Sequence, residues 1–212
     1  MRFTEQHPCP CGGTYTFVVY GDGRWTSTVC PACGVPGNNI DPLSVAVTAE
    51  RLLRRSLEEL KGGDYTLTVL IGTMAVESFL TRLFFKFKKM ENYATTLTWP
   101  TPQKEKEWED EYGRRTGFLK PADFVSNTLT GMPFDVFVAA NAVAGKIMAE
   151  FPNAAHLSPK QYIQTELFHR RNYIAHWGYV NTGQAEAELC HKLAVAVVVI
   201  LREMDKSKYG TM

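Results

Sequence analysis

FHRRNYIAHWGYV, residues 168–180, is the stretch that decides how this chain is read. It sets Arg171, Asn172 and His176 along an amphipathic helical stretch. Gly178 then ends the helix, because glycine takes the left-handed backbone that closes a last turn. Asn172 and His176 are i and i+4, so they share a face. Arg171 precedes His176 by five residues, about 140° round an ideal helix. Their meeting therefore depends on the reach of the arginine or on distortion near Trp177-Gly178. His169 and Arg170 flank the group, either as phosphate contacts or as plain surface. Taken alone, cations near a helix C-terminus are also what the helix dipole favours.

Working outward, Ser158-Pro159 opens this helix with a capping hydroxyl and then proline at the first helical position. Ile163, Leu167, Ile174 and Trp177 fall broadly on one apolar face. After a short loop, AEAELCHKLAVAVVVILREM (185–204) packs back as the last helix. Its apolar run, 193–201, is shorter than the ~20 residues of a membrane span. Charges bracket it, which predicts a buried core helix. His156 and His191 are isolated and receive no role.

Toward the N-terminus, Asp41-Pro42 repeats the acid-then-proline opening. The helix it starts runs through VAVTAERLLRRSLEELK to Gly62-Gly63. Asp64 caps the next helix, through residue 90, which is apolar on most sides and belongs at a bundle's centre. The two form an αα-hairpin. Glu77 sits inside the second helix, either as an edge residue or a buried acid paired with an arginine, or as the group that orients or partners Arg171. Arg82, Lys86, Lys88 and Lys89 read as a solvated basic face, with RNA contact as the other reading. Residues around 90–135 look like an insertion: a charged helix from Thr101-Pro102 to about Gly113, then PADFVSNTLTG. PFDVFVAANAVAGKIMAEF (133–151) follows as one further helix.

Residues 1–40 form a different unit. Four of the five cysteines lie here, as Cys9 and Cys11 in CPCGG and Cys30 and Cys33 in CPACG. Between them TYTFVVY and RWTSTV alternate polar and apolar residues around a GDG turn, which reads as a β-hairpin. Close-set cysteine pairs in a reducing compartment point to metal rather than disulfides. Four thiolates suit a closed structural Zn²⁺ site, and a unit this short needs the metal to fold. The arrangement resembles a zinc ribbon, departing from its commonest form with a C-x-C first knuckle, where His7 is an alternative ligand. Arg24 and Trp25 are the hairpin's candidates for contacting phosphate or base, and docking and plain capping stand level as its role.

The net charge of +1 gives no global basic field, so any nucleic-acid contact has to be local. No apolar segment follows Met1, so no signal peptide is expected. The expected location is the cytoplasm, with no membrane contact.

The R-N-x-x-x-H pattern near the end of a penultimate helix, in the form RNYIAHWG, resembles the HEPN superfamily. The resemblance covers residues 41–206 and implies a mainly α fold: a HEPN-like helical bundle over 41–212, preceded by the small β zinc ribbon. It implies a metal-independent endoribonuclease that cleaves RNA through the 2′-OH, working as a homodimer in defence, as a toxin or in RNA processing. Arg171 and His176 match the catalytic pair and Asn172 the polar residue that often follows the arginine. Arg170, His169 and Trp177 become RNA contacts, and Trp177, standing between histidine and glycine, is the departure from the family pattern. A protein partner or antitoxin is a further expectation. The alternative is a non-catalytic module that binds RNA, nucleotide or a protein. A zinc-dependent hydrolase is disfavoured, since the sequence offers no open metal site.

Overall fold

The computed structural model describes residues 2–9, 11, 13–20, 25–34, 46–98, 100–114, 117–151, 156–178 and 181–209. The Asp41-Pro42 opening, the GDG turn and Arg24 lie outside them. The described chain is mainly helical, a bundle preceded by a small antiparallel sheet.

The sheet has the order β1 (Arg2–Pro8), β2 (Thr14–Tyr20), β3 (Trp25–Ser27). The β2–β3 pairing sets Val19 against Trp25 and Phe17 against Ser27, as the alternation between the cysteine pairs predicts. β1 was not foreseen. It pairs with β2 along its whole length, from Arg2 against Tyr20 to Pro8 against Thr14, so the first cysteine pair occupies a hairpin turn closed by Cys9 N–H donating to Gly13 O.

α1 (Ala46–Gly62) and α2 (Tyr65–Thr96) form the αα-hairpin. Gly63 turns the chain at φ +83°, and Asp64 Oδ1 accepts from Leu67 N–H to cap α2. α2 packs on α1 on one side and on the last helix, α9 (Gln184–Tyr209), on the other. Where the three meet, a Cβ on Gly72 would lie 3.3 Å from Ser56 Oγ and 3.5 Å from Ala194 Cβ, so the missing side chain is what lets them approach. By length and composition α2 is apolar enough to cross a membrane. Val69, Val76, Phe79, Leu80, Leu83 and Phe84 are buried in the protein instead, and Lys86, also buried, meets Asp205 of α9. The apolar run of α9 is the core helix its sequence predicts: Leu193, Val197, Ile200 and Leu201 are inaccessible to solvent.

The middle region adds to the same core. α3 (Pro102–Gly113) is capped by Thr101, and α4 (Leu119–Thr130) ends on Gly131 in the left-handed conformation. The helix expected over 133–151 is two helices, α5 (Phe134–Ala140) and α6 (Ala142–Ala149). Asn141 breaks it: its backbone turns extended and its side chain accepts from Val143 and Ala144 N–H as an N-cap. Phe118, before α4, stacks edge-on with Phe134 at 5.3 Å and lies 5.2 Å from Phe168.

The helix carrying the decisive stretch begins at Ser158, whose side chain forms a reciprocal capping box with Gln161. It runs without a break through α7 (Pro159–Ile163), a π-helical turn (Gln164–His169) and α8 (Arg170–Trp177), and stops at Gly178, φ +61°. Ile163, Leu167, Phe168 and Ile174 are buried, whereas Trp177, expected on the same face, is 80% exposed.

Candidate functional site

On the last two turns of this helix the side chains sort by side. Arg171 is half-buried and pairs with Glu77, its Nη2 donating to Oε1 across the α2–α8 contact. Its Nε is sealed from solvent without a partner among the described residues. Glu77 is thus the acid paired with an arginine, and that arginine is Arg171. Asn172 is half-buried, and His169, His176 and Trp177 are exposed. Among the described residues, Arg171, Asn172 and His176 make no hydrogen bond with one another. The helix presents them side by side rather than as a bonded constellation.

Arg170 faces the other way. Its Nε and Nη2 donate to Glu166 at 3.0 and 2.7 Å, and its Nη1 donates to Glu186 of α9. Glu186 also accepts from Gly183 N–H, 3.1 Å away. That backbone bond, followed by Arg170, holds the Glu186 carboxyl below its ordinary value despite the burial opposing it. Burial opposes the charge on Arg170, yet Glu166 and Glu186 raise its pKa. The arginine expected at phosphate is therefore clamped between two carboxylates. The Glu166–Arg170 half was legible as an i,i+4 pair; Glu186 comes from another helix. Between α8, α2 and the start of α9 lies a pocket of about 400 Å³ lined by Val69, Arg170, Tyr173, Ile174, Thr182 and Glu186, which the sequence did not suggest.

Two more side chains outside the expected set belong to the packing here. Cys190 is buried and donates its thiol to Glu166 O at 3.1 Å, inside the π turn. Burial pushes the thiol up to about 12, which makes it unreactive at neutral pH. His191 lies 3.0 Å from Ser56 Oγ through Nδ1, and Ser56 donates to Thr68 O at 3.0 Å. Because that hydroxyl has one proton, the pattern assigns a hydrogen to Nδ1 of His191. Ser56 is fully buried, so the pair is a structural tie and not a nucleophile with its base.

The three lysines of the basic cluster on α2 are buried or half-buried and paired rather than a solvated face. Lys86 is buried against Asp205, Lys88 meets Glu111 at 3.2 Å and Lys89 meets Glu105 at 2.9 Å. Their partners lie on α3 and α9, so these charges tie helices together.

At the other end of the chain, Cys9, Cys11, Cys30 and Cys33 come together with all four Sγ atoms within 4.8 Å of one another, a group that can hold a metal ion. The bonded pairs stand 3.3 to 3.5 Å apart, far beyond a disulfide length. A tetrahedron of thiolates ~2.3 Å from zinc sets its sulfurs roughly 3.8 Å apart, so the donor set fits with little adjustment. Cys9 and Cys30 are buried, and Cys11 and Cys33 face solvent. Burial raises the Cys30 thiol, but N–H groups of Cys33 and Ala32, then the Cys11 and Cys9 thiols, bring it down to about 7. The side chains of His7 and Trp25 lie outside the description. Tyr15, missed in the sequence, is buried with its hydroxyl 3.3 Å from Cys9 Sγ. Burial first, then Cys9, holds its pKa above the ordinary value. Met90 of α2 shares a buried cluster with Cys9, Tyr15 and Cys30, so the cysteine unit rests on the helical part near the end of α2.

In comparisons with known proteins, no family model, no curated protein and no solved structure matches this chain.

Proposed function

We propose that the protein is a metal-independent endoribonuclease of the HEPN type, working as a homodimer in the cytoplasm. The observation that carries this reading is the placement of the R-N-x-x-x-H residues. They end a helix packed against the long central α2, with Arg171 anchored by Glu77 and His176 open to solvent.

The chemistry asks for little more. His176 takes the proton from a ribose 2′-OH, whose oxygen attacks the adjacent phosphorus. The O2′–P bond forms, the P–O5′ bond breaks, and a second acid returns a proton to O5′. The products are a 2′,3′-cyclic phosphate and a 5′-hydroxyl. A second copy of the motif supplies that acid, which is the reason for proposing a dimer. Arg171 still carries Nη1 hydrogens that no protein group takes among the described residues. They are donors for the charge that gathers on the phosphorane oxygens. Asn172 bonds a phosphate oxygen or steadies the imidazole, and Trp177 and His169 contact RNA. The test is cleavage of a mixed RNA pool in excess EDTA, with His176→Ala beside the parent.

The four cysteines hold Zn²⁺ in this reading, completing a zinc ribbon. The metal supplies folding energy and no catalytic step, since all four ligands come from the protein. The ribbon is a docking surface for RNA or for a protein partner such as an antitoxin.

A second reading has its own support. Arg171 is neutralised by Glu77, and Arg170 by Glu166 and Glu186. With both charges engaged internally, the same surface suits a non-catalytic module that binds RNA, nucleotide or protein. Retained RNA binding by a folded protein that never cleaves would favour it.

A further inference from the structure

The pocket beside Arg170 has a lining that selects a ligand chemistry. Tyr173 forms one wall, with 60% of the residue exposed, and lies one turn before the exposed Trp177 on the same face of α8. Val69 and Ile174 supply apolar surface, and Thr182 a hydroxyl. Glu186 lines the pocket as an ionised carboxylate. Its Oε1 accepts from Arg170 and its Oε2 from Gly183, which leaves acceptor capacity on both oxygens. Arg170 uses three N–H bonds on carboxylates and keeps two of its five.

A flat group seated against Tyr173 therefore meets a carboxylate with a guanidinium next to it. Glu166 and Glu186 together outweigh the one charge of Arg170, so the cluster is net negative and disfavours a phosphate inside it. Among the nucleobases, guanine has two adjacent N–H donors, N1–H and the 2-amino group, beside an acceptor, O6. That edge matches a bidentate carboxylate flanked by a guanidinium. Adenine, cytosine and uracil each lack the adjacent pair of donors.

We propose that this pocket is a guanine-binding subsite, with Tyr173 stacking on the base and Glu186 reading its N1–H and 2-amino edge. Resting on the ribonuclease reading, it makes the enzyme prefer RNA with a guanosine next to the cleaved bond. Tyr173 precedes His176 by three residues, so the two exposed side chains neighbour each other on α8 and a base seated on Tyr173 brings its strand past His176.

The experiment titrates the intact protein with GMP, AMP, CMP and UMP, followed by ligand-observed NMR, and measures RNA cleavage separately. GMP binds more tightly than the other three. Tyr173→Ala, an exposed position whose loss leaves the core intact, weakens GMP by about tenfold or more through lost stacking, while Tyr173→Phe retains it. Glu186→Gln narrows the preference for GMP over AMP. No GMP binding at millimolar concentration, equal binding of all four, or binding indifferent to Tyr173→Ala overturns the proposal. Displacement of GMP by agmatine at lower concentration than by GMP itself also overturns it, by showing a site for an aliphatic guanidinium. GMP binding that depends on Tyr173, in a protein that cleaves no RNA, keeps the subsite and discards the nuclease. Cleavage without GMP binding does the reverse.

Discussion

Arg171 and Glu77, 94 residues apart in the chain, meet across the α2–α8 contact, the guanidinium Nη2 donating to the carboxylate Oε1. The pair fixes which part of Arg171 is left to face outward. It also ties the helix of the R-N-x-x-x-H residues to the centre of the bundle. Their side chains are 26% and 38% exposed, so water screens the attraction in part.

Removing either partner therefore has a moderate cost. Glu77→Gln lowers stability by about 1 kcal/mol, at the upper end for a solvent-screened pair, because Arg171 Nε is already sealed without a partner. Arg171→Ala costs a similar amount. The double variant costs less than the two together, since each single change leaves the other group stranded. Urea denaturation midpoints of the three variants measure the coupling, and strict additivity would show that the pair contributes nothing.

Metal binding at the cysteine cluster has a test outside the ligands themselves. Once Cys9 is a thiolate, the buried Tyr15 hydroxyl is positioned to donate to it. Tyr15→Phe keeps the ring in place and removes that bond. Zinc affinity, read by competition with a chelator, should fall by roughly 10- to 100-fold, the range for groups that orient a metal's ligands. Cys30→Ser should lose stoichiometric metal outright. The helical far-ultraviolet circular dichroism should survive in both, because the main core includes neither Tyr15 nor any of the four clustered cysteines.

Much of this framework could be read in the chain. Asp64, Thr101-Pro102, Ser158-Pro159, Gly131 and Gly178 mark helix ends through local chemistry that needs no distant partner. The four cysteines were legible for the same reason. What escaped was tertiary. β1 declares itself only by pairing with β2, and Asn141 sits among good helix formers that hid its capping role. The lysines of α2 looked solvated because Asp205, Glu105 and Glu111 lie on other helices. The π turn has no plain local signature, and Trp177, the last residue of α8, is exposed although Ile174 one turn before it is buried. At the candidate site the residues of the motif were visible, and so was Glu77 as a partner for Arg171, whereas Glu186, which reaches Arg170 from another helix, was not.

His191 gives the fold a pH dependence with a definite sign. Burial lowers its pKa from the ordinary 6.5, so the folded state disfavours the protonated ring. The unfolded chain then binds more protons as the pH falls below about 6.5, and its stability contribution, full above that value, is lost as pH falls through the lower folded pKa. His191→Gln retains a polar group near Ser56 without titrating. Denaturation midpoints compared at neutral and mildly acid pH should fall more in the parent than in this variant. Equal falls would show that His191 does not contribute to the pH dependence.

Ribonuclease activity is tested by cleavage of a mixed RNA pool by the purified protein in excess EDTA, beside His176→Ala. The zinc content of both samples is checked afterwards, so that lost metal is not mistaken for lost catalysis. His176 is exposed, so its replacement should leave the fold unchanged. A HEPN-type ribonuclease gives cleavage that survives EDTA, leaves 2′,3′-cyclic phosphate ends and disappears in the variant. Equal cleavage by both proteins, or none from the folded parent, would contradict it.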